Sequence, residues 1–180
     1  MPKFSQYLWI VPLFHCNGWC FAWTMASIAG TSYFIRQIRA ENLFEIINKY
    51  KIAYMAGAPI IMNTMLSYPG AKKFTHQVKM LTAGAPPPPS VMKKFKAELG
   101  VYVQTAYGLT ETYGPMSNHS LDPSWEGLSE DQLVSKSTYQ SSYVMQESIT
   151  VRNPDTLDCV PADGSTIGEI MSKGILPLYI

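Results

Sequence analysis

Three loops in this sequence carry side chains suited to chemistry, and each follows a stretch with the texture of a buried strand. "AYGLTETYG" (106–114) sets the Thr110 hydroxyl beside the Glu111 carboxylate, just after Tyr107 and Gly108. A hydroxyl can donate to a phosphate oxygen, and a carboxylate is a hard oxygen ligand suited to Mg²⁺. The Tyr107 ring offers a flat surface to a heterocycle, and glycine lets backbone approach a ligand closely. "TAGAPPPPS" (82–90) places Gly84 before a rigid extended run, and "PLFHCNGW" (12–19) presents His15. A helix starting at Gly-x-Thr-Glu would aim backbone amides at an anion. The same letters equally fit a tight turn in which Thr110 caps a helix. On residue types alone both readings stand.

Other residues admit plainer roles. His15, Cys16 and Cys20 give one nitrogen and two sulfurs, one ligand short of a zinc set, and a buried, hydrogen-bonded His15 is the structural alternative. Trp9, Trp19 and Trp23 read as core. His76 and His119 sit in polar stretches and read as solvated. Asp163 and Glu169 suit a turn and a strand. "PPPP" reads as a rigid wall, with a proline-reading partner as the other option.

The elements that would position these loops alternate. Residues 6–12 suggest a strand ended by Pro12, 17–29 a buried helix and 31–35 a strand. "ENLFEIINKY" sets Leu43, Phe44, Ile46, Ile47 and Tyr50 near one helical face. "IAYMAG" is a short strand, Pro59 opens a helix through "IIMNTML", and "QVKMLTAG" is a strand running into glycine. After the prolines, Val91, Phe95 and Leu99 share a helical face that Gly100 closes, and "VYVQTA" is again a strand. This alternation predicts an α/β fold, a mainly parallel sheet flanked by helices. In such sheets ligands gather beyond the carboxyl ends of the strands, where the three loops fall. After Pro115 the polar stretch reads as loop with one short helix. "QESITVRN", "CVPADG" and "IGEIMSKG" follow as short antiparallel strands. Residues 1–115 are thus read as an α/β core piece and 116–180 as a loop and antiparallel β piece of the same domain.

Composition narrows the function classes. Of 180 residues 47% are hydrophobic, enough for a core, and the net charge is +1 with the signs interleaved. Neither a basic face for nucleic acid nor an acidic tail is present. Three cysteines without a disulfide rhythm point to a reducing, intracellular compartment. The apolar run from Tyr7 to Ile35 is divided by Pro12, His15, Asn17, Gly18 and Gly30, so no membrane span is expected. The ending "GILPLYI" is apolar and uncapped, and both ends read as cut from something larger.

"TAGAPPPPSVMKKF" followed by "QTAYGLTETYGP", with "PLFHCNGW" upstream and "PADGSTIGEIMSKG" downstream, closely resembles the acyl-activating, adenylate-forming enzymes. "FHCNGWCF" with "TAGAPPPPSV" looks most like the plant branch that includes butyrate- and benzoate-CoA ligases. The resemblance covers about residues 6–174 and implies part of the large N-terminal domain of such an enzyme. It implies ATP, Mg²⁺ and coenzyme A as cofactors and co-substrate, and a small carboxylic acid as substrate. It further implies that Gly84, Ala85 and Pro86 line an adenine pocket. Thr105, Ala106, Tyr107, Gly108 and Leu109 would form the wall shared with the acyl pocket, the Tyr107 ring against adenine. Thr110 would bond the α-phosphate, Glu111 would hold Mg²⁺, and His15 would stand beside the reacting carboxylate. Trp19 and Met55 near that pocket suit a short or aromatic acid.

Departures from the family pattern shape the expectation. No Ser/Thr/Gly-rich phosphate loop ending in Lys precedes "PLFH", and no "GD" aspartate, hinge or small mobile domain follows "GEIMSKG". The chain therefore reads as the central fragment of an AMP-forming carboxylate–CoA ligase, with little activity of its own. The alternative is a non-catalytic truncated product that at most binds nucleotide or a protein partner. The resemblance implies a peroxisomal or cytoplasmic protein, and "LYI" is no peroxisomal address.

Overall fold

The computed structural model describes residues 1–119, 123–137, 141–142 and 146–174. Strand parity sorts the core into two layers. In β1 (Gln6–Trp9), Leu8 points to one face of the sheet while Tyr7 and Trp9 point to the other. The same alternation continues through β3 (Tyr54–Ala56), β4 (Val78–Thr82) and the start of β5 (Val101–Leu109). Met55, Val78, Met80, Val101 and Val103 join Leu8, whereas Ala56 and Leu81 join Tyr7 and Trp9.

The larger layer is covered by α2 (Ala40–Tyr50), α3 (Pro59–Leu66) and α4 (Pro89–Leu99). Their apolar stripes meet the sheet as Leu43, Phe44 and Ile47; Ile61, Met62 and Met65; and Met92, Phe95 and Leu99. Each such side chain, fully buried, contributes about 1.5–3 kcal/mol. Gly100 ends α4 in the left-handed region, with its N–H on the Lys96 carbonyl, as its sequence position predicts. The other face carries α1 (Cys16–Ser27), whose Met25 is buried against Tyr7, Trp9 and Ala56.

β2 (Thr31–Phe34), β1, β3, β4 and β5 lie side by side in that order, all parallel. The α/β reading and most of its elements therefore hold. The sheet then reverses direction. β6 (Gly114–Asn118) pairs antiparallel with the far half of β5, and β7 (Ser141–Ser142) extends it. β5 thus runs three residues beyond its expected end at Ala106, and the polar stretch after Pro115 begins as a strand. Pro115 discouraged that reading because proline donates nothing to a ladder. It is tolerated at a bulge, where Tyr107 pairs with Ser117 but Gly108 with Pro115, leaving Met116 as the extra residue.

One short helix does follow, α5 (Glu130–Lys136), opened by a capping box between Ser129 and Gln132. Beyond it β8 (Gln146–Arg152) and β9 (Glu169–Gly174) form an antiparallel pair. "CVPADG" is not a third strand, since Cys159 makes only an isolated bridge to Arg152. Pro161 lacks an N–H, and the Asp163 carboxylate takes the Ser165 and Thr166 amides at 2.8 Å, which curls the backbone into a turn. Those bonds hold the exposed Asp163 carboxyl far below the usual carboxylate range, the Thr166 hydroxyl contributing most. The apolar ending at 175–180 lies outside the described residues. Among the described residues no helix is long and apolar enough to cross a membrane.

Candidate functional site

β4 and β5 pair in register up to Thr82 and Thr105, where β4 gives way to its loop while β5 runs on to Leu109. Gly84 is exposed, with φ 86° and open space where a side chain would begin, and Ala85 and Pro86 are exposed beside it. On the β5 side Tyr107, Leu109, Thr110 and Glu111 are exposed. Thr105 and Ala106 are not: both are buried, and the Thr105 hydroxyl donates to the Ser137 carbonyl at 3.1 Å. Thr105 therefore supports the wall from behind.

Thr110 and Glu111 head no helix. They occupy the tip of the β5–β6 hairpin, so both helix-based readings of Gly-x-Thr-Glu are corrected to a hairpin turn. Thr112, unremarked in the sequence, holds that turn together. Its hydroxyl accepts the Leu109 N–H at 2.9 Å and lies within hydrogen-bond reach of the Leu109 and Gly114 carbonyls. Backbone bonds from Thr112 to Leu109 and from Tyr113 to Thr110 complete it. With the turn closed by its neighbours, neither Thr110 Oγ1 nor the Glu111 carboxylate has a partner among the described residues, and both face outward.

Glycine is required twice in this hairpin. A Cβ on Gly108 would lie 2.1 Å from the Gly114 carbonyl oxygen, inside the bulge. Gly114 has φ 105° and follows Tyr113, itself at φ 56°.

The third loop meets the hairpin through α1. His15 is the first flanking residue of that helix, its N–H on the Pro12 carbonyl, its ring exposed and 4.5 Å from the Phe14 ring. It is thus not the buried structural histidine. One and five residues on, Cys16 and Cys20 pack against Gly114, and the Trp19 ring lies 4.8 Å from that of Tyr113. These contacts bring the first turns of α1 against the hairpin that carries Thr110 and Glu111. Asn17 turns inward instead, accepting the buried Tyr7 hydroxyl at 2.5 Å. Burial is the main cause that pushes the Tyr7 phenol far above its ordinary value, and it raises the Cys16 and Cys20 thiols too.

Several side chains lie elsewhere than expected. Met55 belongs to the layer on the opposite face of the sheet from α1, so it does not join Trp19. Trp9 is core, Trp19 is half-buried and Trp23 is 74% exposed. His119 is buried against the Trp125 ring, and half-buried His76 contacts the Ile52 carbonyl at 2.9 Å, so neither is solvated. Among the described residues no three His, Cys, Asp or Glu side chains gather as a metal set. What remains as candidates for a nucleotide and a hard cation are the exposed residues Gly84–Pro86, Tyr107, Thr110 and Glu111. They offer open backbone, a ring, a free hydroxyl and a free carboxylate, which fit those groups.

A family model described as AMP-binding enzyme matches residues 2–176. An acetate/butyrate–CoA ligase of Arabidopsis thaliana, described as peroxisomal, is 39% identical over 178 residues. That match takes in 97% of this chain and 31% of the relative, so the chain spans about a third of the relative's length. A benzoate CoA ligase from Burkholderia xenovorans shares the fold with TM-score 0.77 at 17% identity, over 97% of this chain and 34% of that one. An O-succinylbenzoate coenzyme A synthetase from Bacillus subtilis, in complex with ATP and magnesium ion, gives TM-score 0.73 at 19% identity. There the match covers 97% of this chain and 34% of the other.

Proposed function

This chain belongs to the AMP-binding enzyme family, and on that premise we propose that it is the central part of an AMP-forming carboxylate–CoA ligase. The overall reaction joins a carboxylate to the α-phosphate of ATP, releasing pyrophosphate, and then passes the acyl group to the thiol of coenzyme A with loss of AMP. One observation carries the reading. The turn of α1 that follows His15 meets the hairpin carrying Thr110 and Glu111 through the Trp19–Tyr113 contact, and Gly84–Pro86 is exposed after the strand that pairs with β5.

In this reading Gly84, Ala85 and Pro86 offer backbone to the adenine, and the Tyr107 ring lies against it. The Thr110 hydroxyl donates to an α-phosphate oxygen. Glu111 would hold Mg²⁺, which when bound offsets charge on the phosphates. His15 donates a hydrogen bond to the carboxylate and steadies charge as the new bond forms. Thr105 and Ala106 shape the wall from within the sheet. The acid is a small one, as in the acetate/butyrate–CoA ligase it resembles.

Rate depends on holding acid and nucleotide together in one geometry. The chain spans about 31% of that relative, so we infer slow turnover by this polypeptide alone. Thermal unfolding of the purified chain tests the reading, because a ligand that binds only the folded state adds about 2.7 kcal/mol at a hundredfold excess over Kd. ATP with Mg²⁺ is expected to raise Tm, and millimolar ATP leaving it unmoved would remove the nucleotide site. In that case the exposed apolar side chains of α1 and its approach, Phe14 at 77% and Trp23 at 74%, favour a binding fragment without nucleotide.

A further inference from the structure

We propose that Cys16 and Cys20 form a dithiol site for a soft, thiophilic centre, a trivalent arsenical above all, seated against the hairpin that carries Thr110 and Glu111. Nothing in the ligase reading uses these thiols. They stand one turn apart on α1, the i and i+4 spacing that puts two side chains on one helical face. Both are free and half-buried. Both residues border the hairpin: a side chain on Gly114 would begin 3.3 Å from the Cys20 sulfur and 3.4 Å from the Cys16 Cβ. The Cys20 sulfur lies 3.9 Å from the Tyr113 carbonyl, so its proton has only a weak acceptor.

Geometry decides what the pair can take. Cβ atoms at i and i+4 are about 5–6 Å apart on a helix, whereas a disulfide needs roughly 3.5–4.5 Å. Direct oxidation of one thiol onto the other therefore requires α1 to unwind. A single bridging atom bonded to both sulfurs spans the gap without that cost. Burial raises both thiols, and Cys16 raises Cys20 further, so the pair is held protonated and reacts poorly as a thiolate nucleophile. An arsenic(III) oxide suits such a pair. Two S–H bonds break, two As–S bonds form, and the oxide oxygen leaves as water with both protons. Arsenic stays trivalent, so no oxidant or reductant is required.

The third thiol, Cys159, is exposed and bridges to Arg152 beside the β8–β9 pair, apart from this helix. An atom bound at Cys16 and Cys20 would lie beside the hairpin and disturb the neighbouring Trp19–Tyr113 contact.

Phenylarsine oxide added to the purified chain tests the proposal. One equivalent is expected to lower the titre under denaturing conditions from three free thiols to one, to add one phenylarsenic group by intact mass and to change Trp19 emission. A dithiol should reverse it and a monothiol should not. Cys16→Ser and Cys20→Ser should each weaken binding by roughly a hundredfold, the loss expected when two linked contacts become one, while Cys159→Ser leaves it unchanged. The Ala variants serve if a Ser variant fails to fold. Loss of a single thiol, equal binding by either variant, or an adduct that needs Cys159 would overturn the site.

Discussion

The rings of Trp19 and Tyr113 meet at 4.8 Å with 46° between their planes, and this contact ties α1 to the β5–β6 hairpin. It joins the helix that begins after His15 to the turn that presents Thr110 and Glu111. Trp19 was expected beside the acyl pocket, whereas Tyr113 drew no such expectation. Their work is positional: they fix one loop against another on a surface where the separation of two groups decides how well they act together.

A double-mutant cycle on this pair should therefore read a coupling. Trp19→Ala, Tyr113→Ala and the double variant, compared by urea unfolding, are expected to give an interaction term of about 0.5–1.5 kcal/mol. The single variants should also lose most of the Tm rise caused by ATP with Mg²⁺. Additive losses would show that α1 and the hairpin are held together by other contacts.

Gly108→Ala should be far more damaging than its small size suggests. The added methyl would sit 2.1 Å from the Gly114 carbonyl oxygen and 2.6 Å from the Pro115 Cα, all backbone with nowhere to retreat. The bulge must open, at a cost on the order of 3 kcal/mol, and the ATP-dependent stabilisation should vanish with it. Gly84→Ala, which meets only open space and is strained by φ alone, should cost about 1 kcal/mol. Similar midpoints for the two variants in urea would contradict the close approach.

Much of this was legible in the letters because periodicity reports which face is buried. Leu43, Phe44 and Ile47 in α2, and Phe95 and Leu99 in α4, follow a helical stripe and are core. Strand parity is equally readable, and applied to β3 it separates Met55 from Ala56 and so Met55 from α1. The far half of β5 was not legible, since Gly108 and Pro115 weaken a strand reading while a bulge accommodates both. Nor could local polarity show that His119 is buried against Trp125, a contact made by chain that returns later. At the candidate site Thr110 and Glu111 were singled out by residue type, and the structure leaves both exposed. The turn that presents them depends on Thr112 and on α1 packing, which no local pattern announces.

Tyr7→Phe should change both stability and its dependence on alkali. The Tyr7 hydroxyl donates to Asn17 Oδ1 in the core, and deleting it strands a buried acceptor at a cost of about 1–3 kcal/mol. Adding Asn17→Leu should recover part of that loss. Burial raises the folded-state pKa above the phenol's ordinary 10.0, so the folded chain keeps a proton that the unfolded chain releases. Stability is then fully present below pH 10 and falls as pH rises beyond it, by up to about 1.4 kcal/mol per pH unit for each such group. Tyr102, also raised by burial, shares in the slope. Tyr7→Phe should shallow the alkaline limb by one proton, and an unchanged slope would mean that the Tyr7 phenol ionises as freely folded as unfolded.

Glu111→Gln separates binding from folding most cleanly. The carboxylate is exposed at the hairpin tip and has no partner among the described residues, so the exchange should shift the urea midpoint by less than about 0.5 kcal/mol. A neutral amide is a far poorer ligand for a hard divalent cation. The Tm rise with ATP alone should persist, while the further rise on adding Mg²⁺ should require roughly tenfold more metal, about 1.4 kcal/mol of affinity. Thr110→Val makes the complementary change. It keeps the β-branched shape, removes the donor and should weaken ATP itself while leaving the Mg²⁺ dependence intact. If both variants lost the two responses equally, the tip would act as one folded unit, and the assignment of metal to Glu111 and phosphate to Thr110 would fall.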